Sequence, residues 1–127
     1  MIDSGGATTP FLEKDSQYPL QLIYEDDGFL IASGKDKDYT QYMSIGIRWR
    51  RSRSEEPNKQ NPTGFPSARG RGCWCIIPND LAICLLTNIK DRAQSKNCKI
   101  EKDKIYEVLQ ILIKQEQERV NCTKDSQ

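Results

Sequence analysis

The residues of this chain with the most chemical capacity crowd into one stretch. Arg48, Arg50, Arg51, Arg53, Lys59, Arg69 and Arg71 fall within 24 residues that contain only two acids, Glu55 and Glu56. That stretch carries +5, which leaves −4 for the rest of a chain whose net charge is +1. Arginine dominates it. A planar guanidinium grips phosphate or carboxylate through two parallel hydrogen bonds, where a lysine acts as a point charge. Trp49, Phe65 and Trp74 lie in or beside the same stretch. Arginines interleaved with aromatics suit a groove that pairs with a phosphate backbone and stacks single-stranded bases. Arg48, Arg50, Arg51, Arg53, Arg69, Arg71, Trp49 and Phe65 are therefore the candidate contacts to an anionic partner, either a nucleic acid or an acidic protein. The plainer alternative is that the tryptophans are core residues and the arginines are solvated or paired with acids such as Asp36 and Asp38.

Other chemistry is narrowed by what the chain lacks. With no histidine among 127 residues, the commonest general base and metal ligand is missing, and so are serine-histidine and cysteine-histidine nucleophile pairs. An enzyme built on this chain would work through carboxylates or tyrosine. Tyr42, Glu25, Asp26 and Asp80 are the conceivable contributors, though turns and helix caps account for the acids equally well. Gly64-Phe65-Pro66-Ser67-Ala68-Arg69-Gly70-Arg71-Gly72 could turn backbone N–H groups toward an anion. It matches neither the phosphate loop nor the dinucleotide fingerprint, and no cofactor is implied.

The five cysteines, Cys73, Cys75, Cys84, Cys98 and Cys122, are an odd number, against a closed disulfide framework. On a strand, Cys73 and Cys75 would have Cα atoms about 6.8 Å apart, whereas a relaxed disulfide holds Cβ atoms at about 3.8 Å. Their spacing is not that of a zinc ribbon either. They read as buried reduced thiols rather than metal ligands.

The run Gly64-Phe65-Pro66-Ser67, Arg69-Gly70, Trp74, Ile77-Pro78, Leu81-Ala82 and Leu85-Leu86 resembles a pattern in small bacterial proteins carried on mobile integron gene cassettes. The likeness covers about a fifth of the chain. It implies a bacterial accessory protein, often self-associating, with no assigned activity, and it transfers no catalytic residue.

Elements must position these groups. The length predicts one domain burying roughly two-thirds of its extended surface. The mean hydropathy of −0.73 predicts a water-soluble chain with long polar connections. The start, Met1-Ile2-Asp3-Ser4, lacks the pattern of a signal peptide, and no apolar run is long enough to span a bilayer, so a cytoplasmic protein is expected, with no membrane partner. Residues 1–17 read as a flexible leader, 18–120 as the domain and 121–127 as a frayed tail. Leu20–Tyr24 and Phe29–Ala32 flank Asp27-Gly28, the signature of a hairpin with a type I′ turn. In Gln41–Arg50, Met43, Ile45, Ile47 and Trp49 alternate with polar residues and Gly46, which predicts a strand with one side on the core. Ser52–Arg71 is too rich in proline and glycine for any regular element. Cys73–Ile77 resumes as a buried strand. Asn79 is the candidate N-cap of a helix ending near Ile89, and Asp91–Lys99 reads as a polar connector. A last helix runs over Lys102–Val120. The fold class is thus α+β: a four-stranded antiparallel meander covered by two C-terminal helices. The last helix has an apolar arc of about 220°, wider than one packing face needs. The surplus, Tyr106, Ile111 and Ile113, is the candidate surface for a homodimer.

Overall fold

The computed structural model describes residues 9–12, 14, 15, 17–38, 41–51, 55, 56, 60, 63–68, 71–92 and 98–125, with the backbone alone at 68, 71 and 122–125. It is an α+β fold in the order β1 (Gln21–Asp26), β2 (Phe29–Lys35), β3 (Met43–Trp49), β4 (Ser67–Ala68), β5 (Arg71–Gly72), β6 (Cys75–Ile77), α1 (Asn79–Ile89), β7 (Cys98–Ile100) and α2 (Lys102–Asp125). The main sheet is antiparallel and runs β6-β3-β2-β1-β7. The expected meander is present, but the sheet has five strands, not four. The fifth, β7, pairs with β1 and puts Tyr24 opposite Ile100. It falls where a polar connector was expected, because the three-residue alternation Cys98-Lys99-Ile100 is too short to stand out. A second departure is the two-stranded ladder of β4 and β5, inside a stretch expected to hold no regular element.

The β1–β2 hairpin forms, though not with the expected type I′ turn. Gly64 is the only positive-φ glycine among the described residues, which excludes Gly28 from that geometry. The Asp26 carboxylate closes the turn instead, accepting the N–H groups of Gly28 at 2.6 Å and Phe29 at 2.8 Å. Further along β1, Leu22 pairs with Ala32 and Tyr24 with Ile31, leaving Ile23 as a bulge. The extra residue lets Ile23 and Tyr24 both join the core under the helices. That core is Ile23, Tyr24, Ile31, Met43, Ile45 and Ile100 against residues of α1 and α2 such as Leu86, Ile89, Ile105 and Leu112.

The opposite face of the sheet is not left to solvent as the alternation in β3 suggested. Phe11, Leu30, Ala32 and Trp74 form a second buried cluster there. Phe11 is fully buried, edge-on to Trp74 with ring centroids 6.0 Å apart. Gly34 and Gly46 make room for it, since a Cβ at either would lie within 2.9 Å of its ring. The backbone around Phe11 is tied down as well: Leu12 N–H donates to the Lys35 carbonyl, Lys37 N–H to Pro10, and Trp74 N–H to Thr9. Residues 9–12 of the expected leader therefore belong to this layer.

Asn79 does not cap α1. Pro78 occupies the N-cap position without a side-chain cap bond. Displaced into the first turn, the Asn79 side chain donates to the Leu112 carbonyl and to Glu116 of α2. Helix α2 continues to Asp125, beyond the Val120 end expected for it.

Candidate functional site: an exposed aromatic pair at the root of the arginine-rich segment

The arginines that the sequence grouped together part company in three dimensions. Arg48, on the face opposite the helices, is only 2% exposed. Its Nη1 donates to the Cys73 carbonyl at 3.2 Å and its Nη2 to the Thr63 carbonyl. Its guanidinium carbon lies 5.9 Å from the Trp74 ring centroid. A Cβ on Gly64 or Gly72 would collide with this guanidinium. Burial holds its pKa below the ordinary arginine value, opposed by nearby Cys73 and Glu55, and it stays protonated at any physiological pH. Arg48 is thus an internal clamp rather than the anion-binding contact expected of it. It joins β3 to the segment around Thr63 and to the strand entering β6.

The glycine loop beside it has already met an anion. The Thr63 and Gly64 N–H groups each donate to the Glu55 carboxylate at 2.8 Å. Of the amides expected to face a ligand, that of Gly64 is thus occupied from within the chain, as is that of Phe65 by the Trp49 carbonyl.

Trp49 and Phe65 have the opposite fate. They are 43% and 55% exposed. Each backbone N–H donates to the other's carbonyl, at 2.7 and 3.0 Å, and the ring centroids lie 6.0 Å apart at 55°. Exposed side chains are thereby carried on a doubly bonded backbone bridge. Behind them, Trp49 pairs across the sheet with Phe29, whose ring lies 5.1 Å from that of buried Tyr24. The aromatic row Tyr24, Phe29, Trp49, Phe65 runs from core to surface. Arg50 follows directly, with its Nε on the Asp26 carbonyl at 2.7 Å and its Nη2 on Glu25 at 2.8 Å. Arg51 donates from Nη1 to the Glu56 carbonyl at 2.7 Å. Arg53 and Arg69, and the side chain of Arg71, lie outside the described residues.

Two further groupings escaped the sequence reading. A cleft of about 490 Å³ opens between the start of β3, the end of β6, the first turn of α1, and α2. Its walls include Met43, Ile45, Ile77 and Leu112, and Tyr42 stands among its lining residues. The polar groups at its floor already bond one another. Gln115 accepts from Met43 N–H at 2.8 Å and donates to the Met43 carbonyl at 3.1 Å and to Asn79 at 2.9 Å. Antiparallel register would place residue 79 opposite Met43, but the chain has turned into α1 there, and the Gln115 carboxamide takes the vacant strand's place. Glu116 is bonded by Arg119 and Asn79, which hold its carboxyl below the usual range. These bonds tie the Glu116 carboxylate into the wall of the cleft.

The second grouping is polar. Tyr24 donates to Asp26 at 2.7 Å and accepts from Arg92 at 3.0 Å, with the Cys98 sulfur 3.5 Å away. Burial first, then hydrogen bonding to Cys98 and Asp26, pushes the phenol far above its usual pKa. The conceivable catalytic set is occupied elsewhere: Asp26 closes the hairpin turn, Glu25 pairs with Arg50, Asp80 bonds the N–H of Leu81, and Tyr42 is at the cleft.

The three residues expected to be surplus on the last helix are not all exposed. Tyr106 and Ile113 are exposed, but Ile111 packs on the helix-side core. Val120 is exposed in its stead. No helix among the described residues is long and apolar enough to cross a membrane. No protein-family model matches the chain, and neither a curated protein nor a solved structure does.

Proposed function

We propose that this chain is a non-catalytic binding domain that engages single-stranded nucleic acid at Trp49 and Phe65. The observation that carries the reading is the pair itself: two large aromatics about half exposed, locked by reciprocal backbone hydrogen bonds, at the root of the arginine-rich segment. Base stacking needs an exposed ring held in place, and a stacked base contributes about 1–3 kcal/mol. Arg50, paired with Glu25, and Arg51 follow Trp49 directly, and Arg53, Arg69 and Arg71 belong to the same segment, whose net charge of +5 would meet the phosphates. Arg48 positions the site by fixing the backbone on both sides of Phe65. A peptide with clustered carboxylates would satisfy the charge but leave the stacking rings unused, which favours the nucleic acid over an acidic protein.

The two tryptophans provide the test. Trp74 is buried and Trp49 exposed, so an oligonucleotide stacking at this site quenches Trp49 fluorescence and leaves Trp74 unchanged. Affinity for a single-stranded oligonucleotide should fall with salt at a slope near −0.7 per phosphate contacted. Trp49→Ala should cost roughly tenfold or more in affinity. The reading fails if no oligonucleotide binds at low salt, or if the Trp49→Ala protein binds as tightly as the original. Equal binding of polyglutamate and oligonucleotide would return the site to an acidic protein partner.

A further inference from the structure

Helix α2 carries an apolar stripe that its own fold covers only in part, with Lys90 Nζ 5.9 Å from the Tyr106 ring centroid. Tyr106, Ile113 and Val120 recur every seven residues and are 52%, 44% and 40% exposed. At 3.6 residues per turn, positions seven apart fall within about 20° of one another, so the three side chains form one line along about four turns of helix. Gln110 and Gln117, four residues beyond Tyr106 and Ile113, lie along the same line and are exposed. Tyr106-x-x-x-Gln110-x-x-Ile113-x-x-x-Gln117-x-x-Val120 has the 4-3-4-3 spacing of a helix-pairing seam, with apolar residues at one seam position and glutamine at the other.

A second observation concerns the end of α2. Asn79, in the first turn of α1, bonds Leu112 and Glu116. Beyond that contact every residue from Gln117 to Asn121 is exposed, yet the helix continues to Asp125. Two turns of helix projecting past their packing partner are marginal in water, because helices draw most of their stability from a packed face. Val120 lies on this projection.

We infer that the stripe pairs with the same stripe of a second copy of this chain, the two α2 helices running antiparallel about a two-fold axis near Gln110 and Ile113. Charge selects this occupant and this direction. Glu107 and Lys114 are exposed, seven residues apart, and flank the stripe on one side. Antiparallel pairing about that axis sets Glu107 opposite the partner's Lys114, and the two-fold repeats the match. One self-complementary surface closes the assembly as a dimer. The projecting turns of each helix then lie along the first turns of the other, and Val120 is covered.

Sedimentation of the full chain at micromolar concentration tests this. The expected species has twice the 14.6 kDa chain mass. Ile113→Glu and Val120→Glu should each give a folded monomer. Val120 stands on the projection, so its change leaves the core intact and circular dichroism should match the original. Glu107→Lys should weaken dimerisation on the order of tenfold, and Glu107→Lys combined with Lys114→Glu should restore it. A monomer at high micromolar concentration overturns the proposal, as does a dimer indifferent to both glutamate substitutions. A double charge reversal that fails to restore the dimer overturns the antiparallel pairing.

Discussion

The two faces of the central sheet are built by different means. On the helix side, Ile23, Ile31, Met43 and Ile45 meet α1 and α2, each element offering apolar residues at its own period. On the far side a short segment brings Phe11 over two glycines, a loop brings Trp74, and Arg48 extends beneath it to bond two carbonyls. The first face is a layer of regular elements. The second is a set of single side chains reaching in from irregular backbone, each seated in space left by a missing one. A sheet face can therefore be closed without any amphipathic cover. The sequence trace of such closure is glycine in a strand rather than an apolar run.

The largest effects should come from testing whether the far face is a core in energetic terms. If it is, Phe11→Ala costs about 3–5 kcal/mol, as much as a large truncation under the helices such as Leu112→Ala. A tethered but unneeded leader would lose less than about 0.5 kcal/mol. Urea unfolding of both variants decides between these outcomes, and a small cost at Phe11 would break the comparison.

Next in size is Arg48. Changing it to Ala strips the Thr63 and Cys73 carbonyls of a charged donor, and hydrogen bonds to charged groups contribute about 1.5–3 kcal/mol each. A loss of roughly 3 kcal/mol is expected, with Arg48→Lys recovering little because an ammonium cannot span both acceptors in the guanidinium's geometry. Trp49 fluorescence should change with it, since the backbone carrying Phe65 loses its anchor. If Arg48→Ala is neutral, the buried guanidinium is tolerated rather than structural.

On the helix side the matching polar contact is Gln115. Its carboxamide serves as the strand partner that Met43 would otherwise lack. Gln115→Ala should cost about 1–3 kcal/mol, the penalty for an unpaired backbone donor and acceptor at a partly buried edge. Hydrogen exchange at the Met43 amide should rise in this variant while that of Ile45, paired within the sheet, does not. Equal protection at both sites would mean that Gln115 holds nothing in place.

How much of this was legible follows the same division. The helix face could be read because Ile105, Val108, Leu109 and Leu112 announce a helix and Met43, Ile45 and Ile47 announce a strand by period alone. Helix α1 spans the residues expected of it, even though Pro78 rather than Asn79 stands at its start. The far face could not be read. Arg48 in β3 looked like a solvent-facing residue, because alternation reports that two faces differ and not that one is wet. Phe11 sits in a polar stretch with no period, and its pairing with Leu12 is only a faint local mark that it could pin this stretch to the body. The arginine cluster was real as composition but misleading as a site. Arg48 turned inward, and the backbone bridge that presents Trp49 and Phe65 depends on a pairing across sixteen positions that no local pattern reveals. The other available sign was Gly46, a strand residue without a side chain on the face that looked polar.

The smallest effect distinguishes the faces by pH. Arg48 on the far face stays protonated throughout the accessible range and so contributes no pH dependence of its own. Beside the helix-side core, at the β1–β2 turn, stands Asp26. Burial raises its pKa, but the Phe29 and Gly28 amides, the Tyr24 hydroxyl and the charge of Arg92 outweigh this and leave it below the ordinary value. A carboxylate depressed in the folded state gives stability that is complete above its unfolded pKa, about 3.9. That stability is lost as pH falls through the lower folded value. Asp15, held down mainly by the Tyr18 amide, and Glu116 add to the same acid-side loss. Asp26→Asn should therefore flatten, without abolishing, the fall in stability below about pH 4. Arg48→Ala should lower the whole curve and leave its shape alone. Unfolding midpoints across that interval for the two variants give the answer: if Arg48→Ala changes the slope and Asp26→Asn does not, the charge that matters to acid stability lies on the far face after all.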